Sequence, residues 1–304
     1  MSTAVPEPVG VPARVGVLGG GRMGAGIAHA FLLAGAHVTV VERDPEAAAA
    51  AVARIGESLR RSAERDASRD ASAPSFADLD RRLAAGVDTG VDAGVDVAAF
   101  ADCGLVVEAV PEDRDLKVDA LRRVEAVIAD PAVLATNTSS ISIDDLAAHL
   151  DRPARFLGLH FFNPVPASDL VEVVIGRATD AGLEASARGW VTALGKVAVV
   201  VRDAPGFASS RLGVALALEA IRMLEEGVAS ADDIDTAMRL GYRHPVGPLR
   251  TTDLVGLDVR LGIARELHAR LGERFAPPAL LDRLVAEGHL GRKTGRGFYE
   301  WNET

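Results

Sequence analysis

A single cysteine, Cys103, is all that this 304-residue chain contains. That excludes an intramolecular disulfide and any multi-cysteine metal site. Cys103 lies just before the apolar stretch 105–107 and reads as structural. Positive charge is in the minority, 33 Lys and Arg against 43 Asp and Glu, a formal net charge of -10. Such a surface has no global attraction for nucleic acid or an anionic membrane, so an anionic substrate has to be met by a local basic patch. No uninterrupted apolar stretch reaches the roughly 18 residues of a membrane span. Residues 1–13 lack a basic segment followed by an apolar one, so they read as a loose tail rather than a signal peptide, and the expected location is cytoplasmic. Clustered zinc ligands and internal repeats are likewise missing.

What is present is an ordinary globular composition, 48% hydrophobic and 25% charged, in a chain long enough for two domains. Short apolar runs at 15–18, 38–41, 105–107, 133–136, 156–159 and 197–201 alternate with helix-like segments. Runs apolar on both faces and separated by helices predict a doubly wound, mostly parallel sheet of the Rossmann type. The Ala/Arg/Asp-rich region 45–83 predicts one or two polar helices, broken around 67–74. The low-complexity Gly/Val/Asp alternation at 86–96 predicts an irregular strand and loop, without the ligand spacing of a calcium loop. Beyond Asp203-Ala204-Pro205-Gly206 the strand-like runs stop. Helices are expected over 207–226, 232–240, 250–271 and 278–287, with Gly241, Gly272 and Gly288 near three of their ends. The expected domains are therefore 14–202, an α/β nucleotide-binding unit, and 203–304, all helical.

Gly19-Gly20-Gly21-Arg22-Met23-Gly24 fits G-x-G-x-x-G. The pattern is weak alone, but here a strand precedes it, an apolar helix follows, and Glu42 sits at the tip of the next strand, about 20 residues on. Gly19 suits the tight turn, Gly21 the close approach of a pyrophosphate, and Gly24 the packing of helix on strand. The helix N-terminus offers the pyrophosphate free N–H groups and a positive dipole end. Glu42 would hydrogen-bond the adenosine ribose and repel a 2′-phosphate, which favours NAD, whereas Arg43 beside it would accommodate that phosphate.

Downstream lies Gly158-Leu159-His160-Phe161-Phe162-Asn163-Pro164, followed by a second apolar run containing Glu172. By position alone His160 is a packed core histidine. Hydride chemistry on an alcohol, however, needs an imidazole that titrates near neutral pH and an acid that sets its tautomer. Ser139 precedes Asp144-Asp145 and is also placed to cap a helix. Lys117 equally suits a solvated helix face, and the other histidines (29, 37, 149, 244, 268, 289) show no partner pattern. Arg60, Arg61 and Arg65, with Ser58 and Ser62, form a basic stretch suited to phosphates or simply to solvent.

Taken together, these motifs resemble the L-3-hydroxyacyl-CoA dehydrogenases. The resemblance is carried by residues 17–28, by Val106-Val107-Glu108-Ala109-Val110-Pro111-Glu112 and by Thr136-Asn137-Thr138-Ser139-Ser140. It continues through 158–166, Asp203-Ala204-Pro205-Gly206-Phe207 and Lys293-Thr294-Gly295-Arg296-Gly297-Phe298-Tyr299. It implies a Rossmann-like domain, a helical domain that dimerises, NAD as cofactor, and oxidation of a 3-hydroxyacyl-CoA, short-chain ones such as 3-hydroxybutyryl-CoA included. Carried over, His160 resembles the catalytic base, Glu172 its orienting acid, Ser139 a hydrogen-bond donor to the substrate oxygen, and Asn163 a support of the site. Glu112 and Lys117 fall where the family contacts the cofactor, and Asn137 beside the nicotinamide. One departure stands out: Ser210 precedes Arg211-Leu212 where the family has a substrate-contacting asparagine. A serine keeps one donor on a shorter arm. It leaves open the same chemistry on a carrier-protein thioester or another 3-hydroxy acid, and a nucleotide-binding relative without catalysis.

Overall fold

A computed structural model describes residues 10–68, 74–87 and 96–301. Most of the expected tail, most of the break at 67–74 and most of the Gly/Val/Asp run lie outside the described residues. The chain divides into two compact units, Met1–Asp203 and Ala204–Thr304.

The first unit starts with β1 (Arg14–Leu18), α1 (Arg22–Leu33), β2 (His37–Glu42), α2 (Pro45–Ala67), α3 (Phe76–Asp80) and β3 (Leu83–Val87). It continues with β4 (Leu105–Glu108), α4 (Arg114–Glu125), β5 (Val133–Thr136), α5 (Ile143–Ala147), β6 (Phe156–Phe161), β7 (Leu170–Ile175), α6 (Ala181–Ala193) and β8 (Val197–Arg202). The strands form one sheet in the order β3-β2-β1-β4-β5-β6-β7-β8. Every neighbouring pair is parallel except β6 with β7. The central strands are valine- and leucine-rich and, apart from Arg14 at the start of β1, buried because helices cover both faces. Ile27, Phe31 and Leu32 of α1 and Ile55 and Leu59 of α2 are 0% exposed in one core, each burial worth about 1.5–3 kcal/mol. The chain winds outward from β1 in both directions, through β2 on one side and β4 on the other, so the loops after β1 and β4 part and open a crevice at the strand ends.

Three elements differ from expectation. Helix is expected up to residue 83 and an irregular strand and loop from 86, but residues 83–87 together form β3 by pairing with β2 from Val38↔Leu83 to Glu42↔Val87. The apolar run around Glu172 is a full strand, β7, antiparallel to β6. The outermost strand, β8, is only half covered, with Val197 61% exposed, so its apolar run is not buried on both faces. The stretch 58–65 is not simply polar, since Leu59 and Ser62 are buried. Cys103 is buried and reduced, and burial pushes its thiol up to about 11.

The second unit holds α7 (Ser209–Glu225), α8 (Ala231–Gly241), α9 (Pro248–Val255), α10 (Leu257–Leu271) and α11 (Ala279–Ala286). Its own core joins Val214, Leu218, Ile221, Ile234, Leu249, Leu257, Leu261 and Leu281. The single helix expected over 250–271 is two, because Gly256 between α9 and α10 has φ +107°, and a Cβ there would sit 2.9 Å from Asp258. Asp235 of α8 accepts the Leu249 and Arg250 amides at 2.8 and 2.9 Å, supplying a cap that the N-cap residue of α9, Gly247, cannot. Asp253 accepts from the amides of Phe298 and Tyr299 and from the Trp301 indole at 2.9, 3.0 and 2.7 Å. The Lys293–Tyr299 stretch is thus fastened to α9. Among the described residues no helix is long and apolar enough to cross a membrane.

Candidate active site at the carboxyl ends of the strands

The glycine loop between β1 and α1 is shaped as a cradle. A Cβ on Gly24 would fall 1.7 Å from the Gly19 carbonyl oxygen, so only glycine lets α1 start this close to β1. A Cβ on Gly21 would meet nothing within 4 Å; that position faces open space. The N-termini of α2 and α4 are capped by Asp44 and Asp113, but α1 begins at Gly21 with no side-chain cap and no acid in its first turn. Its leading N–H groups are left for an anion, which is what a pyrophosphate requires. Arg22 is exposed beside them and Met23 is half-buried against the core. Glu42 accepts the Gly20 amide at 2.7 Å and the Arg43 amide at 3.1 Å. Arg43 turns to Asp44 at 3.1 Å, which commits its charge to the α2 N-cap. Arg54 of α2 donates to the Gly20 carbonyl at 2.6 Å, a brace that no motif marks in the sequence. These features fit a dinucleotide held at Gly19, Gly21, Gly24 and Glu42.

His160 and Glu172 face each other across the one antiparallel pair of the sheet. His160 Nδ1 lies 2.8 Å from Glu172 Oε2, and the two residues are 6% and 0% exposed. Strand pairing explains how residues twelve apart meet: directly opposed side chains share a face. An ionised carboxylate only accepts, so Nδ1–H donates to it, and in the neutral ring that leaves the lone pair on Nε2. Phe162 stacks at a tilt on the imidazole, 4.4 Å between centroids. Asn163 is exposed in the turn that follows, joined to Pro164 by a cis peptide.

A second polar cluster fills the ends of β4 and β5. Glu108, the last residue of β4, accepts Lys117 Nζ and the Val110 amide, each at 2.7 Å, and the Thr136 hydroxyl at 2.6 Å. Lys117 is 1% exposed and Glu108 0%, so Lys117 does not lie on a solvated helix face. Removing either partner of such a pair strands a buried charge, at about 3–5 kcal/mol. Lys117 also contacts the Val110 carbonyl at 3.1 Å and Glu112 at 3.4 Å. Glu112 in turn accepts the Thr138 hydroxyl at 2.6 Å, the Ser139 amide at 2.9 Å and, more weakly, the Ser139 hydroxyl at 3.2 Å. Burial pushes the Glu112 carboxyl up, but Lys117, Thr138 and Ser139 outweigh it and hold it below the usual carboxylate range. In Glu108 burial wins, and its pKa is raised despite Lys117 and Thr136. Asn137, next to Thr136, accepts the Phe161 amide at 2.9 Å and so ties β5 to the residue beside His160.

The first unit thus brings Glu112, Lys117, Asn137, Ser139, His160 and Glu172 to one edge of the sheet. Glu108 was legible only as a carboxylate ending an apolar run, and nothing in the sequence showed its partners. Ser210 belongs to the second unit, in the first turn of α7. Arg60 stacks on Phe76, Arg61 pairs with Glu57 and Arg65 with Ser62. Among the described residues no cluster of three or more His, Cys, Asp or Glu is arranged to hold a metal ion.

Residues 14–204 match the family described as 3-hydroxyacyl-CoA dehydrogenase, NAD binding domain. Residues 206–301 match 3-hydroxyacyl-CoA dehydrogenase, C-terminal domain. A 3-hydroxybutyryl-CoA dehydrogenase of Mycobacterium tuberculosis is 43% identical over 291 residues, covering 95% of this chain and 98% of that protein. A 3-hydroxybutyryl-CoA dehydrogenase of Bradyrhizobium diazoefficiens is 39% identical over 289 residues, 95% of each chain. The crystal structure of (S)-3-hydroxybutyryl-CoA dehydrogenase PaaH1 from Ralstonia eutropha superposes with a TM-score of 0.87 at 35% identity, covering 96% of this chain and 100% of that one. With both of its domains matched in order, and with a glycine cradle and a buried His–Glu pair on one sheet, the chain belongs to the 3-hydroxyacyl-CoA dehydrogenase family.

Proposed function

We propose that this protein interconverts a short-chain (S)-3-hydroxyacyl-CoA and its 3-ketoacyl-CoA, with His160 as the acid–base group. The observation that carries this is the buried contact of His160 Nδ1 with Glu172 at 2.8 Å. In oxidation His160 Nε2 takes the substrate's hydroxyl proton, and Glu172 stabilises the imidazolium that forms. In reduction the protonated His160 returns that proton to the new alkoxide. NAD, when bound, supplies the hydride acceptor in oxidation and, as NADH, the hydride donor in reduction. The Ser139 hydroxyl can exchange its long, 3.2 Å contact with Glu112 for the substrate oxygen, and Ser210 carries a hydroxyl donor in the first turn of α7. Glu112 and Asn137 line the nicotinamide side, with Lys117 acting through Glu112, and Asn163 supports the turn behind His160. Glu42 favours NAD over NADP by repelling a 2′-phosphate, while the exposed Arg43 pairs with Asp44 at 3.1 Å.

The helical unit exposes Leu212, Leu240 and Tyr242 at 71%, 75% and 76%, and this apolar surface supports a homodimer formed through it. Serine at 210 keeps a second substrate in view, a free or differently carried 3-hydroxy acid. Oxidation of NADH and NADPH with acetoacetyl-CoA, a longer 3-ketoacyl-CoA and free 3-keto acids separates these. Turnover with NADH and acetoacetyl-CoA is expected; turnover with the free acids alone overturns the thioester assignment.

A further inference from the structure

Glu108, Lys117 and Glu112 form a charged triad whose net charge, with all three ionised, is that of one carboxylate. A lone buried carboxylate would tend to take up a proton. Here Lys117 sits 2.7 Å from Glu108 and 3.4 Å from Glu112 and opposes proton uptake by either acid, with one negative charge left over when all three are ionised. The Glu108 oxygens meet the Lys117 ammonium, the Val110 amide and the Thr136 hydroxyl, the surroundings of a carboxylate rather than a carboxylic acid.

The triad is also placed close to the chemistry. Glu108 and Thr136 end β4 and β5, and Asn137 holds the amide of Phe161, the neighbour of His160. The reacting carbon lies at His160, and hydride transfer brings the nicotinamide ring to about 3–3.5 Å from that carbon. The ring is positively charged when oxidised and neutral when reduced, so fixed negative charge nearby stabilises the oxidised form more.

We propose that the Glu108–Lys117–Glu112 triad sets the balance between bound NAD and bound NADH, its net negative charge favouring the oxidised ring. Glu108 is then a positioning residue that acts through Lys117, since it is 0% exposed and out of reach of any ligand. The proposal rests on the assignment of the strand ends as the NAD site. Two unit charges about 8 Å apart, at an effective dielectric of 20 to 40, interact by enough to change an affinity ratio about five- to thirtyfold.

The test needs no turnover. NADH is titrated by its fluorescence, and NAD by displacement of NADH, on the wild type, Glu108→Gln and Glu112→Gln. Each substitution removes one negative charge and keeps the side chain's shape. The Kd of NAD should rise relative to that of NADH about five- to thirtyfold, in Glu108→Gln as well as in Glu112→Gln. A ratio within twofold of the wild type in folded Glu108→Gln overturns the proposal. If Glu108→Gln does not fold, Glu112→Gln carries the same test, because its side chain is 38% exposed and the glutamine carbonyl oxygen can still accept from Thr138 and Ser139. Failure of the folded wild type to bind either nucleotide overturns the underlying site assignment instead.

Discussion

Glu172 in the sheet and Asp253 in the helical unit are carboxylates buried to the same degree, 0% and 1%. Their neighbours differ in kind. Glu172 meets an imidazole, a ring whose two nitrogens can each give or take a proton. Asp253 meets two backbone amides and an indole, donors that never release theirs. Burial pushes the Asp253 carboxyl up, against the pull of Trp301, Phe298 and Tyr299. A buried carboxylate therefore does not by itself mark chemistry; the kind of group it meets does. The same contrast runs through each unit as a whole, with exchangeable polar groups at the strand ends of one and a fixed knot of hydrogen bonds in the other.

The sharpest way to break this comparison is at His160. Replacement by alanine should lower kcat by about 10²–10⁴-fold while the NADH Kd, read by fluorescence, stays within about twofold. Full activity would remove His160 from the mechanism, and lost NADH binding would make it structural. Glu172→Gln should lower kcat less, about 10²-fold, with little change in thermal midpoint. Asp253→Ala should do the reverse. Three donors lose their acceptor, a cost of about 3 kcal/mol or more, so calorimetry should show the melting of the helical unit lowered by about 10 °C or more. Unchanged melting would mean that the Lys293–Tyr299 stretch is not held by Asp253.

A smaller effect concerns His29, buried against Ser62 Oγ at 3.0 Å. Burial, with Arg65 and Lys196 nearby, lowers its pKa to about 4. Below the unfolded value of about 6.5 the unfolded chain binds the proton first. Stability should therefore fall as pH drops from 6.5 to 4, by about 2–3 kcal/mol from this residue. Melting curves of His29→Gln should be flatter across that window; an unchanged slope sinks the assignment. The least effect is expected at Cys103, which should resist thiol reagents at pH 8 until the protein unfolds. Rapid labelling of the native chain would show the site to be open.

Much of this was legible locally. The loop 19–24, the helix after it and Glu42 follow one another within a single βαβ unit, so spacing alone predicts their meeting. His160 and Glu172 stand out in the sequence, but the pairing of β7 with β6 does not, because it is reached through a proline-containing turn and strand pairing is a non-local choice. The helix expected at 83 lost to the pairing of β3 with β2, because edge hydrogen bonds outweigh alanine's helical preference. Gly256 was not seen as a break, since one glycine inside an apolar period is tolerated until its φ is known.

What the sequence by itself determined is the part set by local sterics and period: a glycine turn only glycine can make, strands apolar on both faces, helices amphipathic beyond residue 203. What tertiary structure decided is shown on α4, where Leu116 is 41% exposed and its neighbour Lys117 is 1% exposed. Hydropathy assigns those two sides the other way round. The order is inverted because Glu108, brought beside α4 by the sheet, gives the ammonium a partner that water would otherwise have to supply, and a buried charge is tolerated only where such a partner waits.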